Sequence, residues 1–318
     1  MLRAATSEPT ALKLGVMDFW SPLELTFRLA PLVDSLGFNR YWLAEHPPQP
    51  NPQIAAALIA GLTERIRVGT AGVCLSVHNA FQLANDFLLL ERLFPGRIDA
   101  GFCGGGASGL WAEALLEGRP DANRDPAVFA AKTDQLIHTL RGDMPAGDRF
   151  AGLEPWRERG GTPEIWSLGT GPRSATLAAE RGISFGYSLF HHFSRDDTTA
   201  VEIYRQQFQS KTAAAAPQVV LAVAGVCAET KAGARTFVAA HRNEFIVPTI
   251  VGTPEQCRDQ LELLADRYDV REFVFLDVAP DAKSRLRSYE LLAEACGLVA
   301  SATDNSDTAP TVIATAAG

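Results

Sequence analysis

Eight short apolar runs, each followed by a segment with the apolar spacing of a helix, constrain this chain more than any other feature. The runs cover residues 12–18, 40–44, 66–74, 98–102, 164–168, 183–189, 219–226 and 272–278. Between and after them, residues 23–36, 52–64, 81–94, 126–140, 174–181, 196–211, 254–268 and 281–295 carry apolar residues at helical intervals. The runs are nearly continuous rather than alternating, as strands are when both faces of a parallel sheet are covered. Eightfold strand–helix alternation predicts a (β/α)8 TIM barrel, an α/β fold. A length of 318 residues suits a single barrel, predicted over residues 1–299. Residues 300–318, rich in Ala, Thr, Ser and Asp without periodicity, read as a disordered tail. The Gly- and Pro-rich spans 103–124 and 141–161 break the rhythm and read as excursions at the barrel ends, the fold being expected to carry loop insertions at its C-terminal face.

Composition narrows the function classes. A net charge of −8 without any Lys/Arg run gives no basic surface for phosphates of nucleic acid. No segment approaches the roughly 18 apolar residues of a membrane span, and no apolar leader opens the chain, so a cytoplasmic protein is expected. Five cysteines, odd in number and without a CxxC pair, suit reduced thiols rather than a disulfide framework, and no His/Cys/carboxylate spacing forms a metal site.

In a barrel, chemistry concentrates where strands end. Glu45 and His46 close the run YWLAEH ahead of a rigid Pro47–Pro48 turn. Thr70, Ala71 and Gly72 form a small-residue step that lets a flat ligand approach the backbone; alone, the same step is also what a close-packed strand or bulge would show. Cys103–Gly109 contains GxGxxG after a strand, but no second strand leads to an acidic residue some 20 positions on, so a dinucleotide fingerprint is a poor fit and an active-site loop a better one. Thr170, Gly171, Arg173 and Ser174 lie between a strand and a helix, where N–H groups, hydroxyls and a guanidinium make a phosphate cradle; an ordinary turn with Ser174 as helix cap is the plainer alternative. Trp20 and the His191–His192 pair sit on loops able to line a substrate pocket, with His192 taken as the contact.

The conjunction of Glu45-His46, VGTAGVCL (68–75), PGRIDAGFC (95–103), AAERG (178–182), VGTPEQC (251–257) and RLRSYELLAEA (285–295) resembles the bacterial luciferase-like, flavin-dependent monooxygenase family over roughly residues 12–295. The resemblance implies a homodimer that takes reduced FMN from a separate flavin reductase, forms a C4a-peroxyflavin with O2 and oxygenates a small organic molecule. Some members use the deazaflavin F420 instead, and a non-catalytic flavin-binding partner subunit is a further alternative. By resemblance, Ala71-Gly72 matches the family's cis peptide beneath the flavin ring, Glu45 supports that segment, His46 is the general base and Cys103 the reactive pocket thiol. One departure stands out. Gly104 occupies the place of an arginine that clamps the FMN phosphate, which leaves Arg173, with Thr170, Gly171 and Ser174, as the expected replacement.

Overall fold

The computed structural model describes residues 11–298 except 20, 47–50, 117–124, 154, 156–160, 195–196 and 212–215. The predicted tail and Trp20 thus lie outside the described residues. Eight parallel strand positions close on themselves. In order around the wall they are β1 (Lys13–Asp18), β2 (Arg40–Leu43), the interrupted pair β3 (Arg67–Thr70) and β4 (Val73–Cys74), β5 (Ile98–Cys103), β6 (Glu164–Gly169), β7 (Ser184–Ser188), β8 (Val219–Cys227) and β10 (Glu272–Asp277), which pairs with both β8 and β1. A short extra strand, β9 (Ile250–Gly252), adds to the end of β8.

Ten α-helices are described: α1 (Leu23–Ser35), α2 (Pro52–Leu62), α3 (Ala80–Leu93), α4 (Gly109–Leu115), α5 (Pro126–Arg141), α6 (Pro172–Arg181), α7 (Thr199–Gln207), α8 (Lys231–Ala240), α9 (Pro254–Tyr268) and α10 (Ala282–Ala295). Sequence periodicity anticipates all of them except α4 and α8. Their ends obey local chemistry. Pro254 opens α9 while the Gln256 side chain reaches back to accept from the Thr253 N–H at 3.2 Å. None of the described helices is long and apolar enough to cross a membrane.

Strand pleating splits the core in two. Along β8, Leu221 and Val223 face the helices with Phe185, Tyr187 and Phe275, whereas Val220, Ala222, Ala224 and Val226 point into the barrel with Trp42, Trp166 and Val274. The N-terminal mouth is closed by charge. Asp99, fully buried, accepts from Arg40 Nη1 at 2.6 Å, from Trp42 Nε1 at 2.7 Å and from Arg67 Nε and Nη2 at 2.8 and 2.7 Å. Arg40 also reaches Glu164 and Glu272, each the first residue of its strand, and lies over the Trp166 ring. That plug seals the bottom and leaves the C-terminal end open for a site.

Candidate functional site

At the C-terminal end the strands surround a cavity of about 980 Å³. Its base and two of its walls follow from an irregularity in the sheet. From Gly69↔Asp99 to Val73↔Phe102 the β3–β4 chain advances four residues while β5 advances three, so one residue is bulged out. The bulge falls at Ala71 and Gly72, and both line the cavity. Ala71 N–H still donates to Leu43 O at 2.6 Å, and Thr70 Oγ1 donates to Gly101 O at 2.5 Å, pinning the segment on both sides. Gly72 has φ +116°, and a Cβ there would lie 2.8 Å from Cys103 Cβ, so no other residue fits without displacement. The close-packed bulge thus also forms part of the cavity surface.

Glu45 ties this platform together. One carboxylate oxygen accepts from the Cys74 N–H at 2.6 Å and the other meets His78 Nε2 at 2.6 Å. The contact of His78 with Glu45 spans 33 positions and leaves no local signal in the sequence. His46 is exposed at the cavity wall, with its ring 6.3 Å from that of Phe19. Cys103 is half-buried in the wall, its thiol 3.6 Å from Gly72 O. The neighbouring Cys74 thiol lowers the pKa of Cys103, while Cys74 itself is pushed up by Cys103 and by burial.

Another part of the wall, two strand positions along from the bulge, is the turn from β6 into α6. Gly171 is the residue before the helix and provides no side-chain cap, and Pro172 occupies the first helical position. Ser174 is not the cap. It lies inside the first turn, and its hydroxyl donates to Gly171 O at 2.8 Å. The N–H groups of Arg173 and Ser174 are thus left at a helix start with Thr170 beside them, and all four turn residues line the cavity. The Arg173 side chain is exposed and forms no ion pair among the described residues. Gly104 also borders the cavity.

One predicted contact needs correction. His192 is exposed, packs on Phe193 and Phe245 and does not line the cavity. His191 does, because its antiparallel bridge with Ile246 sets which of the two rings turns inward; burial lowers its pKa. Residues that sequence reading did not single out complete the walls: Met17, Phe19, Trp111, Phe129, Ser188 and Phe190. The buried Ser188 hydroxyl has no partner among the described residues, so it is available to a ligand. Among the described residues no cluster of three or more His, Cys, Asp or Glu side chains could hold a metal.

The closed parallel barrel thus carries, around one cavity at its C-terminal end, the Ala71-Gly72 bulge and the uncapped start of α6. Comparison with known proteins agrees. The profile of the luciferase-like monooxygenases matches residues 12–247. The chain belongs to the luciferase-like monooxygenase family. It is similar to an N-acetyl-S-alkylcysteine monooxygenase of Bacillus subtilis (strain 168), 27% identical with 86% of this chain and 92% of the relative covered. A luciferase-like monooxygenase of Escherichia coli (strain K12) is also 27% identical, over 84% of this chain and 81% of its own. Among solved structures, apo-MsnO8 superposes with a TM-score of 0.77 at 29% identity, covering 91% of this chain and 99% of that one.

Proposed function

We propose that this chain is an FMNH2-dependent monooxygenase, supplied by a separate flavin reductase, that inserts one oxygen atom of O2 into a mostly apolar organic substrate. The observation that carries the reading is the pairing, across one cavity, of the Ala71-Gly72 platform with the uncapped start of α6 and its free Arg173. Both line the same cavity, the platform open to a ring system and the helix start to a phosphate. Reduced FMN supplies the activation of dioxygen when bound.

The chain's own residues do the rest. Arg173, Ser174 and Thr170 hold the phosphate, while Glu45 fixes the platform through Cys74 N–H and His78. His46, on the cavity wall, moves protons at the ring or the substrate, as an imidazole can near neutral pH. Phe19, Trp111, Phe190 and Phe193 line the cavity with aromatic surface, which excludes water and favours an apolar substrate. Ile54, Leu58 and Leu62 of α2 are exposed, as are Leu89 and Leu93 of α3, and this surface suits a homodimer.

Anaerobic titration with FMNH2, read by intrinsic fluorescence, should show binding, and O2 uptake should follow when a flavin reductase and a thioether or aldehyde probe are added. Retention of F420 with no flavin binding would instead establish the deazaflavin alternative. Flavin binding without O2 consumption beyond that of the reductase and free flavin, whichever probe is added, would establish the non-catalytic partner. Gly104 offers a further check. Its φ is not in the left-handed region, and a Cβ there meets only Phe129 ring carbons at 3.7–4.0 Å, so an arginine can be accommodated. Gly104→Arg should tighten FMN binding by roughly tenfold, the value of about 1.4 kcal/mol of added charge-assisted hydrogen bonding. Isothermal titration of the two proteins checks it.

A further inference from the structure

Two of the five cysteines stand side by side in the cavity wall. Cys74 ends β4, Cys103 ends β5, and the two are direct register partners on neighbouring parallel strands. Their sulfurs converge on the same space: a Cβ built on Gly105 would lie 3.1 Å from Cys74 Sγ and 3.2 Å from Cys103 Sγ. Glycine at 105 keeps that space clear. Both residues line the cavity, and Cys103 is the more exposed of the two.

We propose that Cys74 and Cys103 form a peroxide-sensing dithiol, in which Cys103 is the oxidised residue and Cys74 the resolving one. The geometry divides the roles. Both border the cavity, but Cys103 is the more exposed and the one a hydroperoxide reaches first, whereas Cys74 is buried, with its N–H held by Glu45. The Cys74 thiol next to Cys103 favours the Cys103 thiolate, which is the nucleophile. In the first step the Cys103 thiolate attacks a peroxide oxygen, the O–O bond breaks, the sulfur is oxidised to sulfenic acid and hydroxide (or alkoxide) leaves. In the second, Cys74 loses its proton and attacks that sulfur, the S–O bond breaks, a disulfide forms and water departs. Overall, two thiols and one hydroperoxide give one disulfide, water and water or an alcohol.

The consequence lies at the platform. Cys103 Sγ, now bonded to Cys74, no longer donates to Gly72 O, and β4 is tied covalently to β5 beside the bulge. Resolution by Cys74 also keeps Cys103 from advancing to the irreversible sulfinic acid. The other three cysteines lie apart from the cavity, so they supply an internal control.

The experiment uses the purified full-length chain without flavin, so its outcome does not depend on the proposed cofactor. Graded hydrogen peroxide, alkylation in denaturant and non-reducing peptide mapping should show a Cys74–Cys103 linked peptide, with the count of titratable thiols falling by two and recovering fully with dithiothreitol. In Cys74→Ser, Cys103 should instead trap dimedone and then accumulate as sulfinic acid at the same doses. The proposal is overturned if the wild-type chain yields sulfinic Cys103 with Cys74 still alkylatable, if Cys103 stays reduced, or if the disulfide formed joins any other pair. Wild-type mapping alone decides the matter should the serine variant fail to fold.

Discussion

Arg173→Ala should weaken FMN binding by about 10- to 100-fold while leaving riboflavin binding unchanged. The expected size follows from charge-assisted hydrogen bonds to an anion, about 1.5–3 kcal/mol, with each 1.4 kcal/mol equal to a factor of ten. Riboflavin lacks the phosphate, so it reports on the ring platform alone. Because the guanidinium is exposed, salt screens it, and the difference between wild type and variant should shrink as ionic strength rises past about 0.15 M. Arg173→Lys should recover only part of the loss, since a point charge cannot make the paired planar contact of a guanidinium. Equal losses for both flavins would place the effect in the barrel fold rather than in phosphate binding. No loss for either would move the anion elsewhere and remove the main support for the proposed cofactor orientation. Combined with Gly104→Arg, the variant also asks whether a clamp on the β5 side compensates for one lost from α6.

How far the sequence discloses this site depends on whether each contact is local. Strand ends are legible because doubly covered strands are continuous apolar runs, and Glu45, His46, Gly104 and the turn before α6 lie directly beyond such runs. The bulge at Ala71-Gly72 is legible as small residues, yet its register shift exists only once β5 pairs alongside. His78 is chemically silent in sequence because Glu45, its partner, lies 33 positions earlier, in the loop after β2. The choice of His191 over His192 is made by Ile246, more than 50 positions away. Helix α4 follows a glycine-rich stretch and buries only Ala112, so it has no apolar stripe to announce it. Helix α8 carries Gly233 in its first turn, which weakens the pattern. Its start was nonetheless readable, for Thr230 Oγ1 accepts from Gly233 N–H at 3.1 Å.

The strongest expected effect on stability lies at the opposite end of the barrel from the site. Asp99→Ala should lower the unfolding free energy by about 3–5 kcal/mol, the usual cost of removing one partner from a buried ion pair. Three side chains, with four donating N–H groups, lose their acceptor together. Arg40, whose side chain is 6% exposed, keeps Glu164 and Glu272, and Arg67 keeps the Ile98 and Gly96 carbonyls, but the indole N–H of fully buried Trp42 has no other acceptor among the described residues. An orphaned buried donor alone costs about 1–3 kcal/mol. Asp99→Asn retains one carbonyl acceptor for Trp42 and should lose less than the alanine variant. Urea unfolding at fixed pH orders the three proteins, and Arg173→Ala should unfold with the wild-type midpoint. Such a crossed result, stability lost at one end and phosphate affinity at the other, is what a barrel must give when its N-terminal plug holds the wall closed and its C-terminal turns hold the ligand. If the unfolding free energy of Asp99→Ala stays within about 1 kcal/mol of wild type, the plug is dispensable and the wall is held by apolar packing alone.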